Sequence, residues 1–233
     1  MRTWPDDFLN KIICGDCLEV MKEMPSSSVD FCIADPPFNV GLNYGENFSD
    51  KKPEREYWKW IKARVQEIYR ILKDNSRLYI FHTDKGIYKL KPLCESVGFK
   101  YHQNLIWHKR NLCSFKSGRI TGDWHFMHEN ILLFHKGKRT PMISSHDANC
   151  FSVLIYPSPQ RNFKGGRDHP AQKPLGLIKH IIHRTPGDVI LLPFVSTGTE
   201  ARAAKDLKRN FIGIEINPDY CKIAEERLAQ GVL

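Results

Sequence analysis

Val29-Asp30-Phe31-Cys32-Ile33-Ala34-Asp35-Pro36-Pro37-Phe38 joins an apolar run to a carboxylate, two prolines and an aromatic ring. Val29 to Ala34 reads as a strand buried inside a sheet, and Asp35 to Phe38 as the irregular segment that leaves its carboxyl end. The prolines fix φ and carry no N–H, so the peptide carbonyls beside them remain available as acceptors. A carboxylate and a carbonyl can each accept one hydrogen from the planar amino group of adenine or cytosine, while Phe38 offers a face for the base. A Pro-rich turn with Asp as a cap would use the same residues. The rest of the chain decides between the two.

Outward from this tetrad, apolar and β-branched runs predict seven strands: Lys11 to Cys14, Val29 to Ala34, Arg77 to His82, Asn104 to His108, Asn130 to His135, Val189 to Leu192 and Phe211 to Glu215. Helical spacing separates several of them. From Glu54 to Lys73, Trp58, Ile61, Val65, Ile68 and Leu72 step by three and four and form one apolar stripe. Further helices are expected over Lys85 to Ser96, Leu175 to Arg184, Thr199 to Leu207 and Pro218 to Ala229. Alternating strands and helices imply an α/β domain with a mostly parallel sheet. Residues 111–168 break this order with Gly, Pro, aromatic and basic residues, and read as an inserted lobe interrupted by the strand at Asn130 to His135. The polar segment Leu42 to Pro53 is long enough for a mobile loop over Asp35.

Three segments with chemical potential follow strands: Asp35, the turn Pro193 to Thr199, and Glu215. In open α/β sheets, ligands bind in the crevice at the carboxyl ends of the strands, so all three are expected to share one crevice. The turn would offer backbone N–H groups at the start of the Thr199 helix. Glu215, one strand later, stands where an acid can accept hydrogen bonds from both hydroxyls of a ribose. A surface pairing of Glu215 with Lys222 or Arg209 is the plainer alternative.

The 233 residues carry a formal net charge of +9 and 41% hydrophobic residues, enough for a packed core and suited to a polyanionic partner. Eleven Lys and Arg against four Asp and Glu fall between residues 109 and 173, so most of the excess is local. Met1 to Cys14 has no apolar signal region and no apolar run is long enough for a bilayer, so a cytoplasmic, non-membrane protein is expected. Seven scattered cysteines suit reduced thiols. Cys14-Gly15-Asp16-Cys17 has no second Cys pair to face it, and no metal site is expected.

Gly15-Asp16, the Asp35-Pro36-Pro37-Phe38 tetrad, Trp107-His108-Lys109, His128-Glu129, His169-Pro170-Ala171-Gln172-Lys173-Pro174, Pro193-Phe194 with Gly198-Thr199, and Ile214-Glu215-Ile216-Asn217 follow one another in the order of a known set of landmarks. In this, nearly the whole chain resembles the amino-methylating DNA methyltransferases of the permuted (beta-class) order, in which the catalytic tetrad precedes the cofactor turn. The resemblance implies a Rossmann-like methyltransferase fold, a seven-stranded, mostly parallel sheet with helices on both faces, forming a single domain over 1–233 with an inserted target-recognition lobe at about 110–168. It implies transfer of a methyl group from S-adenosylmethionine to the N6 amino group of adenine in DNA after base flipping. Asp35, Pro36, Pro37 and Phe38 would be catalytic. Asp16 would meet the cofactor adenine, Glu215 its ribose, and Lys173 with Phe194, Ser196, Thr197, Gly198 and Thr199 its methionine part, with Asp35 and Asn217 alongside. In the lobe, Arg110, Lys116, Arg119, Lys138, Arg139, Arg161, Lys164 and Arg167 would contact DNA. DNA is the implied partner, and a homodimer and a cognate restriction nuclease are compatible with it.

The chain departs from the family at two places: Ser196 stands where Gly is usual, and Leu192 where Asp is usual. If residue 196 needs positive φ, a side chain there costs on the order of 1 kcal/mol. A cytosine-N4 enzyme, or a DNA-binding subunit with weak or no catalysis, is the alternative reading.

Overall fold

The computed structural model describes residues 2–42, 50–110, 127–143, 151–159 and 171–230. Along the chain run β1 (Lys11–Cys14), α1 (Cys17–Lys22), β2 (Val29–Ala34), α2 (Glu54–Ile71), β3 (Leu72–His82), α3 (Asp84–Val97), β4 (Lys100–Lys109) and β5 (His128–His135). There follow β6 (Val153–Tyr156), α4 (Leu175–Arg184), β7 (Val189–Leu192), α5 (Thr199–Asp206), β8 (Asn210–Glu215) and α6 (Pro218–Ala229). One sheet holds all the strands in the order β1-β8-β7-β2-β3-β5-β4-β6.

β2 lies inside the sheet, between β7 and β3 and parallel to both. Its side chains divide between two cores: Cys32 and Ala34 pack with Ile61, Ile68, Leu90 and Leu132 on one face, and Phe31 and Ile33 with Leu177, Ile181 and Ala201 on the other. This two-sided burial is why the strand is almost wholly apolar. Its exception, Asp30, sits where the β2–β3 register shifts and accepts from the N–H groups of Asp188 and Val189 at 2.9 and 2.8 Å. On α2 the buried stripe is Tyr57, Ile61, Arg64, Val65, Ile68 and Ile71; Leu72 already belongs to β3.

Among the described residues the sheet contains eight strands where seven were expected. The addition, β6, is a four-residue edge strand, parallel to β4, that exposes Val153 and Ile155; so short an element among prolines leaves no clear pattern in the sequence. β5 is antiparallel to both β3 and β4, and the other pairings are parallel. β5 therefore brings its first residues, not its last, to the edge where the parallel strands end.

The described parts of the 110–168 stretch are β5, β6 and the residues beside them, all attached to the main sheet. Lys116, Arg119, Arg161, Lys164 and Arg167 lie outside the described residues, as does most of the expected loop over Asp35.

Candidate active site

Asp35 leaves the carboxyl end of β2, as the sequence indicates, and its two oxygens differ sharply. Oδ2 accepts from Lys173 Nζ at 2.7 Å, whereas the buried Oδ1 has no hydrogen-bond partner among the described residues. Lys173, 1% exposed, also stands 3.2 Å from Glu129 Oε2, and Glu129 Oε1 is 2.5 Å from Lys109 Nζ. A largely buried chain of alternating charge centred on Lys173, Asp35–Lys173–Glu129–Lys109, thus crosses from β2 to the start of β5 and the end of β4. Burial pushes the Asp35 carboxyl up, Lys173 pulls it back and Glu129 raises it again, leaving it at about 6. Burial opposes the Lys173 ammonium, but the two carboxylates outweigh it and its pKa is raised. For Glu129 burial is likewise overcome, by Lys173 and Lys109, and its pKa is lowered. Glu200, buried in the first turn of α5, is raised to about 7 by burial and then by the charge of Asp35.

The tetrad is braced from α2 and β3. Tyr57 Oη donates to the Pro37 carbonyl at 3.0 Å and lies 2.8 Å from His82 Nε2. Phe38 stacks on the His82 ring with centroids 5.2 Å apart, and Trp58 stacks on His82 at 5.5 Å. Burial lowers His82 to about 4, so this ring is neutral at physiological pH. Gly86 allows the imidazole its place, since a Cβ there would lie 1.9 Å from Nδ1.

Next to the tetrad opens a cavity of about 410 Å³, lined by Asp16, Asp35 to Phe38, Tyr57, Trp60, Arg64, Phe194, Ser196, Glu215, Asn217 and Tyr220. This is the size of small-ligand and cofactor sites. Asp16 caps α1 by accepting from Leu18 N at 2.7 Å, and its other oxygen pairs with Arg64. Arg64 in turn lies 3.8 Å above the Trp60 ring. Glu215 accepts from Ser196 N and Asn217 N, each at 2.9 Å, which fixes the carboxylate and leaves lone pairs for further donors. Burial raises its pKa against these two bonds. Asn217 caps α6 through Asp219 N at 2.9 Å. Ser196 has φ +48°, the left-handed region that favours glycine, and its buried Oγ has no hydrogen-bond partner among the described residues.

Four expected cofactor contacts, Thr197, Gly198, Thr199 and Lys173, do not line this cavity. Thr197 is buried, and the Thr199 hydroxyl accepts from Arg227 at 2.7 Å. Gly198, with φ +84°, packs against α6, where a Cβ would come within 2.8 Å of Ala224. The turn meets the cavity at Pro193, Phe194 and Ser196, and its last residues pack α5 against α6. Lys173 is likewise absent from the cavity lining and serves the carboxylates. Lys138 and Arg139 follow the last residue of antiparallel β5, and Lys138 N donates to Asn75 Oδ1 at the start of β3. They stand at the sheet edge opposite Asp35, while Arg110 is exposed just beyond β4 at the near edge.

Tyr57, Trp60, Arg64, Lys109, Glu129 and Glu200 had no assigned role in the sequence reading. Arg64 carried a usable signal, since a cation placed in an otherwise apolar stripe marks a helix that faces a polar site.

The profile of the DNA methylase family matches residues 29–226. The chain is 30% identical to the type II methyltransferase M.HpaI of Haemophilus parainfluenzae, over 94% of this chain and 74% of that protein. It is 28% identical to the DNA adenine methyltransferase YhdJ of Escherichia coli K12, over 93% and 82%. Among solved structures, the M1.HpyAVI–SAM complex superimposes with a TM-score of 0.73 at 28% identity, covering 94% of this chain and 99% of that one. With the tetrad at the carboxyl edge of a mostly parallel sheet and a nucleoside-sized cavity beside it, the chain belongs to the DNA methylase family.

Proposed function

We propose that the protein methylates the N6 amino group of adenine in DNA, with S-adenosylmethionine as methyl donor. The observation that carries this reading is Asp35 Oδ1: a buried, ionised acceptor with no hydrogen-bond partner among the described residues, on the cavity wall with Pro36 and the Phe38 ring. Buried polar atoms are rarely left unpaired, and one aimed at a reaction cleft reserves its hydrogen bond for substrate.

The cavity fits the cofactor in its chemistry. Glu215, held by two backbone N–H groups, has lone pairs left for ribose hydroxyls, and Trp60, Phe194 and Tyr220 give apolar and aromatic walls. When bound, S-adenosylmethionine supplies an electrophilic methyl group on a sulfonium centre.

The chain's own residues do the rest. A base in a duplex must be flipped out, at a cost of a few kcal/mol, and Phe38 receives it by stacking. Asp35 Oδ1 and the Pro36 carbonyl each accept one amino hydrogen, which draws the nitrogen lone pair out of conjugation with the ring and stabilises the positive charge growing there. Lys173 keeps Asp35 ionised at neutral pH. With a pKa of about 6, Asp35 is then suited to take the proton that the amino nitrogen sheds.

DNA is gripped by Arg110 at the near edge, and the basic residues Lys116, Arg119, Arg161, Lys164 and Arg167 of the 110–168 stretch supply further phosphate contacts. This reading also holds that a second copy of the chain completes the grip of so small a lobe. A cognate nuclease and a cytoplasmic setting are consistent with type II relatives; no helix among the described residues is long and apolar enough to cross a membrane.

The test is incubation with methyl-labelled S-adenosylmethionine and mixed-sequence DNA, followed by digestion and mass spectrometry. Labelled N6-methyldeoxyadenosine is expected from the native chain and none from Asp35→Ala, which should retain cofactor binding. N4-methyldeoxycytidine would overturn the choice of base, and turnover by Asp35→Ala would overturn the mechanism.

A further inference from the structure

At the sheet edge opposite Asp35, a second cavity of about 120 Å³ opens between β3, β4, β5 and α4. Its polar lining is mostly basic, with Arg77, His102, His135 and Arg139, and His180 and Arg184 from α4, beside the neutral Tyr79 and Gln103. Among the described residues no carboxylate lines it. Arg77 is 2% exposed; one terminal nitrogen donates to the Thr140 carbonyl, but the buried Nε meets no acceptor among the described residues. His135 is 4% exposed, and neither ring nitrogen has a partner there. A neutral imidazole carries one donor and one acceptor, so at least one further N–H is unpaired. The His102 ring meets His135 edge-on with centroids 5.1 Å apart.

Buried donors from two adjacent strands, unpaired among the described residues, joined by the Arg139 guanidinium and facing no acid there, describe a site built for an anion. The catalytic crevice cannot be its purpose: along β5, Glu129 and His135 are separated by about 20 Å at the rise of a strand.

We propose that this cavity binds a small tetrahedral oxyanion of the phosphate and sulfate class, held by Arg77 Nε, His135 and Arg139, with Leu133, Met142 and Leu154 as apolar walls. Burial, then Arg77, His102 and Arg139, hold His135 down at about 4. Burial, then Arg139 and Arg77, lower His102 as well. The other titratable groups facing them are Tyr79 on β3 and His180 and Arg184 on α4. An anion among these groups favours the imidazolium forms, so binding takes up protons and tightens as pH falls.

The experiment is a sulfate titration of the full chain at constant ionic strength, with chloride as control, followed by the thermal midpoint and the histidine ring resonances. Sulfate keeps its charge between pH 5 and 8, so a pH effect belongs to the protein. Saturable stabilisation by sulfate over chloride is expected, with tighter binding at pH 5.5 than at 7.5. His135→Gln and Arg139→Gln should each weaken it at least tenfold. Arg139 is exposed, so its variant keeps the test valid if His135→Gln fails to fold. Equal responses to sulfate and chloride, or sulfate binding untouched by either variant, would overturn the proposal. Displacement of sulfate by duplex DNA would assign the oxyanion to the DNA backbone, and retention under saturating DNA would assign it to a free ion; both support the site.

Discussion

Lys173 and Glu129 make opposite demands on Asp35, and exchanging each for a neutral residue separates them. The Lys173 ammonium lies 2.7 Å from Asp35 Oδ2. At an effective dielectric of about 20, a contact of this length is worth roughly 6 kcal/mol to the carboxylate before relaxation. Asp35 already stands at about 6 because burial outweighs that help. In Lys173→Met the carboxyl should rise above 7, and since one pKa unit is about 1.4 kcal/mol, a rise of two units from about 6 leaves roughly a tenth of the carboxyl ionised at pH 7, about a tenfold loss. The acid limb of the kcat/KM profile, which reports ionisation of Asp35, should move to higher pH, with partial recovery near pH 9. Glu129→Gln removes a like charge instead, so its limb should move to lower pH. Breaking a buried pair costs about 3–5 kcal/mol, so profiles belong well below the thermal midpoint of each variant, with cofactor affinity measured alongside. An unmoved limb in both variants, or movement in the same direction, would refute this account of the charge chain.

Ser196→Gly should relieve the positive-φ strain and stabilise the fold by about 1 kcal/mol, raising the thermal midpoint by a few degrees while cofactor affinity holds or tightens; a lower midpoint would show that the Ser196 side chain contributes to stability. Gly86→Ala places a Cβ 1.9 Å from His82 Nδ1, so the ring must move; a loss of about 3 kcal/mol and weaker DNA binding through a displaced Phe38 are expected from denaturant melts and equilibrium binding. The His82 pKa is lowered on folding, so its contribution to stability is full above about 6.5 and lost as pH falls through about 4. The His82 ring resonance should therefore titrate near pH 4, and a midpoint near 6.5 would contradict its burial.

The sheet was readable wherever both faces of a strand are buried, as in Val29–Ala34 and Val189–Leu192, because continuous apolar runs have few other destinations. The Asp35 tetrad and Glu215 were readable as strand ends. The charge chain was not, because Lys109, Glu129 and Lys173 meet only after an antiparallel strand reverses the local direction, and nothing in the spacing of charged residues announces that reversal. The same reversal moved Lys138 and Arg139 away from the crevice despite their place in the basic stretch. Thr197, Gly198 and Thr199 show the converse: a turn whose first residues line a cavity can spend the rest on packing two helices.

The position of β8 bears on how the chain reaches this state. It lies between β1 and β7, and pairs Lys11 with Ile212, partners about 200 residues apart. Among the described residues β1 has no other neighbour in the sheet, so it waits for a strand about 200 residues later, and closing so long a loop is slow compared with forming local helices. During synthesis the ribosome releases a nearly complete sheet whose β7 edge stays open until β8 arrives, and that edge is where self-pairing with another nascent copy is most to be expected. Asp16 and Glu215, on opposite sides of that final joint, enter the same cavity in one event, so gain of ligand affinity on refolding should coincide with the slowest structural phase.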